Sequence, residues 1–220
     1  MVVSEPYAVA VDYRAAVTKS DAAEDAEILA DLTAVSRFLD RRLGRFFTKD
    51  AADVARVFPT PHPRNAPRPG WAEAENPWLA AGVARTLFID DIVSATSIIV
   101  DEDRDGAFDD ASLGVLDYEL LPRNAALGPE PKPYTAIELT DYGSVYAWTP
   151  NTRVQITGVW GWPSVPPAIK AATIQLTAIL RLESPRATQR VNELDQVIGT
   201  SRQAQLIVND LVRHYRKVTV

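Results

Sequence analysis

From Ile28 onward, apolar residues return every three or four positions: Ile28, Leu32, Val35, Leu39 and Leu43, with Phe46 continuing the series. That is the period of an α-helix with one apolar face. Asp21-Ala-Ala-Glu24 in front of it has the spacing of a capping box, and Gly44 is a natural stop. The pattern therefore predicts a helix over Asp21 to Leu43. Its other face carries Asp31, Arg37, Asp40 and Arg41 and reads as solvated. A shorter, weaker amphipathic segment, Tyr7 to Val17, precedes it as a second helix.

Further along, the period changes from helical to alternating. From Leu87 to Val159 the chain favours strands, at Ser94 to Val100, Gly114 to Leu120, Tyr134 to Leu139 and Arg153 to Trp160. Asp53 to Phe58 is a further candidate strand. Short strands separated by turn-rich segments predict an antiparallel sandwich or small barrel. The last strand runs into Gly161-Trp162-Pro163 and then Val165-Pro166-Pro167. Proline suits a helix's first turn, so a helix is expected over Pro166 to Glu183, stopped by Pro185.

Ser184 to Asn192 is polar and reads as a linker. Thr200-Ser-Arg-Gln203 has the form of a second capping box, followed by Ile207, Leu211, Tyr215 and Val218 on one side of a terminal helix. The expected fold class is α+β: N-terminal helices and two C-terminal helices framing an inserted antiparallel β-sandwich or small barrel. Residues 1–50 and 163–220 would form a helical domain and residues 51–162 a β domain. The proline-rich stretch 59–77 would be a loop or arm within the latter.

Composition narrows the function classes. The chain has 220 residues, a net charge of -6 and no cysteine. A basic nucleic-acid surface is not the default, and thiolate metal sites, disulfides and cysteine nucleophiles are excluded. The first residues do not read as a signal peptide and no apolar run is long enough to span a bilayer, so a soluble protein made in a cytoplasm is expected.

The one metal-like pattern is Asp101-Glu-Asp103-Arg-Asp105-Gly106. Alternating Asp oxygens followed by Gly can wrap a hard cation such as Ca²⁺. Ser112 stands where an EF-hand needs a bidentate Glu, so an acidic β-turn is the favoured reading of Asp101, Asp103 and Asp105. The two histidines, His62 and His214, come with no Gly-x-Ser-x-Gly elbow, and there is no phosphate-binding glycine loop. No catalytic residue is assigned and no enzyme is expected. Of the five tryptophans, Trp160 on its alternating strand reads as core. Trp71, Trp78 and Trp162 are candidates for an interface.

Four segments, in order, resemble one protein family. They are the capped helix ending LDRRLGRFF; the acidic turn DEDRDGAFDD followed by LDYELLPRNA; the stretch VWGWPSVPPAIKAATIQLTA; and the tail Leu211-Val-Arg213-His-Tyr215-Arg216. Together they are similar to the head–tail connector (adaptor) proteins of long-tailed bacteriophages. The resemblance implies a structural virion protein at the head–tail interface, made in the bacterial host's cytoplasm. Such adaptors form a ring, usually dodecameric, that joins the portal to the stopper or tail-completion protein and leaves a channel for DNA. DNA would pass without sequence-specific binding, and no membrane or cofactor is implied. By the same analogy Leu211, Arg213, Tyr215, Arg216 and Val218 would dock on the portal. The competing expectation is a Ca²⁺-dependent carbohydrate-binding β module.

Overall fold

The computed structural model describes residues 5–17, 24–60, 85–141, 143, 148, 152–183 and 187–217. The elements run α1 (Ala10–Val17), α2 (Asp25–Leu43), β1 (Val54–Pro59), β2 (Thr86–Val100), β3 (Tyr118–Leu121), β4 (Tyr134–Leu139), β5 (Arg153–Trp160), α3 (Pro167–Glu183), α4 (Ala187–Thr200) and α5 (Arg202–Tyr215). This is an α+β protein. The chain divides into two compact units, Lys49–Pro163, and Met1–Thr48 together with Ser164–Val220.

In the first of these units the strands form one antiparallel sheet in the order β1-β5-β2-β4-β3. It is open, not a closed barrel. β2 is the organising strand. Its first residues, Thr86 to Phe88, pair with β4, while Ile92 to Val100 pair with β5. The register slips between Phe88 and Ile92, between Ile92 and Ser94, and between Ala95 and Ser97. A bulge inserts a residue and turns the following side chains over. Accordingly Leu87 and Ile89 are buried at odd positions, then Ile92, Ile98 and Val100 at even ones. One core takes residues from both halves of the sheet, including Leu87, Ile137 and Leu139 from one and Ile98, Ile156 and Trp160 from the other. This explains why β2 begins at Thr86 and not at Ser94: the bulges break the alternation that marks a strand in sequence. β3 begins four residues later than expected, at Tyr118, because Gly114 to Asp117 close a turn through the Asp117 N–H and the Gly114 carbonyl (3.0 Å).

The helical unit departs from expectation at several points. α2 starts at Asp25, after Glu24, and Glu24 makes no side-chain capping bond; Asp21 lies outside the described residues. Its end is as expected, with Gly44 left-handed (φ 64°) and its N–H donating to the Asp40 carbonyl at 2.8 Å. Phe46 does not continue the apolar face: it is 62% exposed, and Phe47 is fully buried in its place. Past Gly44 the helical period no longer applies, so the helix register mispredicts the inward residue. Asp31 and Asp40, assigned to the solvated face, are buried.

A third C-terminal helix, α4, stands where a linker over Ser184 to Asn192 was expected. Leu194, Val197 and Ile198 are buried in its described second half, a spacing that a mostly polar sequence obscures. The second capping box is not formed either. Ser201 is the N-cap of α5 and makes no side-chain cap bond. Ala204, Val208 and Leu211 form the buried face of α5, with Ile207 and Tyr215 half-buried at its margin and Val218 outside the described residues. Of the proline-rich stretch, Pro59 ends β1 and residues 61–77 lie outside the described residues.

Candidate functional site

The tail expected to dock is held by the helical unit at three points. The Lys217 N–H donates to the Leu43 carbonyl (3.0 Å), so the segment after α5 returns to the end of α2. The Tyr215 ring meets Phe47 edge-on with centroids 5.7 Å apart, and Phe47 meets Tyr7 in the same way, also at 5.7 Å. Leu211 is 4% exposed and packs the interior. Its role as a docking residue is therefore corrected to one of positioning the helix. Arg213 and Arg216 are exposed and Tyr215 is half-buried.

Beneath this cluster lies a buried polar network. The Tyr7 hydroxyl donates to the Asp40 carboxylate and accepts from the Phe47 N–H (2.9 Å). The Tyr7 N–H donates to Ser36 Oγ at 3.0 Å. Arg37 pairs with Asp40 (3.0 Å) and its guanidinium lies 5.5 Å from the Tyr7 ring centroid. Burial, reinforced by the Asp40 carboxylate, pushes the Tyr7 hydroxyl well above its ordinary value. Burial also raises the Asp40 carboxyl, against the opposing hydrogen bond of Tyr7 and the charges of Arg37 and Arg41.

Tyr7 thus keeps its proton in the folded state at pH values where an unfolded tyrosine loses it. The stability this contributes is complete below the ordinary value of 10.0 and declines as pH rises above it. Tyr7→Phe is expected to lower stability at neutral pH by about 1–3 kcal/mol, because Asp40 and the Phe47 N–H each lose a partner. It should also flatten the alkaline limb. Urea unfolding at neutral pH and above pH ~10 checks both, and an unchanged alkaline slope would show that Tyr7 does not carry it.

In the β unit, one carboxylate oxygen from each of Asp101, Asp103 and Asp105 lies within 4.8 Å of the others. Asp101 is buried and its Oδ2 accepts from Arg153 Nη2 at 3.2 Å. The turn also bonds to itself. The Asp105 N–H donates to Asp103 (3.2 Å), the Ala107 N–H to Asp105 (2.7 Å), and the Glu102 N–H to Asp110 (3.0 Å). Arg153, the first residue of β5, was not singled out by sequence reasoning. Its position at a strand start carries no signal that it would cross to a turn 52 residues away.

Trp162 is 3% exposed and its indole N–H donates to Asp91 Oδ2 (3.0 Å), so it is an interior residue and not an exposed interface anchor. Trp160 is likewise interior, its N–H donating to the Val54 carbonyl (2.7 Å). Trp71 and Trp78 lie outside the described residues, as does His62. His214 is exposed, with Nδ1 2.9 Å from the Asp210 carbonyl of its own helix.

Two surface depressions, of about 140 and 200 Å³, are lined chiefly by charged side chains. Both are smaller and more polar than a usual small-molecule site. Among the described residues no helix is long and apolar enough to cross a membrane.

No protein-family model matches the chain, and no curated protein matches it. Among solved structures it is similar to a chain in the neck of an empty GTA (gene transfer agent) particle, computed with C6 symmetry. The two are 18% identical, the likeness covers 96% of this chain and 89% of that one, and the TM-score is 0.51. The shared property at that identity is the fold.

Proposed function

We propose that this chain is a structural protein of the neck of a phage-like particle, where it forms a ring that joins the portal to the stopper or tail and leaves a passage for DNA. The observation that carries the reading is the fold likeness to a neck chain over 96% of this sequence. It is joined by the order of the four connector-like segments along the chain. The C6 symmetry of the similar neck is compatible with a ring of six or of twelve copies, since a twelve-fold axis contains a six-fold one.

A ring needs two different, complementary faces on every copy. Two compact units of different architecture, one helical and one β, supply different chemistry for such faces. A net charge of -6 suits a passage that DNA must later leave, because few phosphates would be neutralised.

Negative-stain imaging of the purified chain, alone and with the portal ring of its own particle, tests this. Rings, or an added layer on the portal, are the expected result. A portal that gains no layer at saturating protein would overturn it. The alternative, a Ca²⁺-dependent saccharide-binding module, has the acidic turn in its favour. Arg153 already takes one oxygen of Asp101 there, which weakens that turn as a cation site. That alternative requires a Ca²⁺-dependent rise in melting temperature.

A further inference from the structure

α2 and α5 finish side by side, joined by the Lys217–Leu43 hydrogen bond and the Tyr215–Phe47 ring contact. Arg41, Arg42, Arg213 and Arg216 stand exposed at these two ends, in a chain whose net charge is -6. Helix C-termini favour cations by about 0.3–1 kcal/mol each, and that accounts for a basic residue in each last turn. It does not account for Phe46, which is 62% exposed between Arg45 and the buried Phe47. An exposed aromatic ring among arginines is the composition found at the centre of protein interfaces. Arg41 and Arg42 also line the depression of about 200 Å³, with Phe38 and Asp195.

We propose that this end of the helical unit docks a carboxylate-rich protein surface, with Phe46 as the apolar anchor and the four arginines taking carboxylates. The guanidinium fork matches a carboxylate with two parallel hydrogen bonds. A protein partner is favoured over nucleic acid because phosphate binding gives no role to the exposed Phe46 ring. The inference deepens the connector reading, on which it rests for the partner's place in the particle: it gives the chemistry of the surface that the helical unit meets.

The test uses the full chain and two fluorescent probes, a helical peptide of repeated Glu and Leu and a short duplex DNA, followed by anisotropy. The peptide should bind, more weakly as salt rises. Phe46→Ala should weaken it about tenfold, as loss of an interface anchor does. Arg213→Glu with Arg216→Glu should abolish it, and Leu206→Ala, at an exposed apolar position of α5 away from this end, should leave it unchanged. All these side chains are exposed, and circular dichroism verifies that the variants fold.

No peptide binding at low salt overturns the proposal. So does DNA binding as tight as the peptide's and indifferent to Phe46→Ala, which would mark a nucleic-acid surface instead. If the peptide binds as stated while the portal gains no layer, the connector reading fails and the docking surface stands. If the portal layer forms unaltered by these variants and the peptide does not bind, the reverse holds.

Discussion

Arg181→Met is expected to destabilise the helical unit by about 3 kcal/mol, the lower end of the loss when one partner of a buried ion pair is removed. Arg181 on α3 reaches Asp31 of α2 at 2.7 Å and also pairs with Glu24. The side chains of Arg181 and Asp31 are only 10% and 4% exposed. Burial by itself would lower the pKa of the guanidinium, but the hydrogen bond and charge of Asp31, together with Tyr13 and Glu24, outweigh it and raise the group above its ordinary value. With Met in its place, a buried carboxylate faces an apolar side chain. The lower end of the range applies because Glu24 is 42% exposed and can return to water.

The double variant Arg181→Met with Asp31→Leu should recover most of the loss, since apolar replacement of a whole buried pair is often neutral. Urea unfolding, with hydrogen exchange at α2 and α3 amides, measures both. A double variant no more stable than the single one would show that the two residues do not act as a pair.

The second large effect lies in the sheet. Gly158→Ala is expected to cost the β unit about 3 kcal/mol through overpacking against backbone. A Cβ at this position would lie 2.1 Å from the Ser94 carbonyl oxygen and 3.0 Å from Ala95 Cα. Both belong to the bulged stretch of β2, where Ser94 pairs with Val159 and Ala95 with Gly158 itself. The bulge presses its backbone onto β5, and only a residue without a Cβ leaves room. The obstacle is main chain, so no rotamer change can relieve it.

Gly199→Ala is the contrasting case. Gly199 is helical, in α4, and an added Cβ would meet nothing within 4 Å. The same substitution there should stabilise by about 0.5–1 kcal/mol through helix propensity. Equal and small effects at both sites would remove the close approach of β2 and β5 as the reason for the glycine.

Three elements show where local pattern is a sufficient guide. β4 and β5 occupy the predicted residues, and α3 starts within a residue of the predicted proline. β5 alternates from end to end with Gly161 after it, α3 keeps a helical period behind its prolines, and Pro133 marks the start of β4. β2 and α4 lack this. Bulges shift the alternation of β2 partway along, and α4 sets Leu194, Val197 and Ile198 inward in a mostly polar stretch.

The candidate site was legible only in part, for a related reason. Arg213 and Arg216, named as docking candidates, are exposed, one in the last turn of α5 and the other at its C-cap. Trp162 and Leu211 were read as contact residues by type and analogy, yet Asp91 waits inside for the indole N–H and the helix register turns Leu211 inward. Phe46 and Phe47 differ in exposure although they are identical in type and adjacent, because Gly44 ends the helix and resets which one faces Tyr7.

By itself, then, the sequence determined the α+β class, the helix end at Gly44 and the order and type of the elements apart from α4, since hydrophobic period and turn chemistry are properties of neighbouring residues. Only the tertiary structure decided that Asp31 and Asp40 lie inside, that β2 divides its pairing between β4 and β5, and that Arg153 closes the acidic turn. A polar group can be buried only where a partner meets it, and these partners come from as far as 150 residues along the chain.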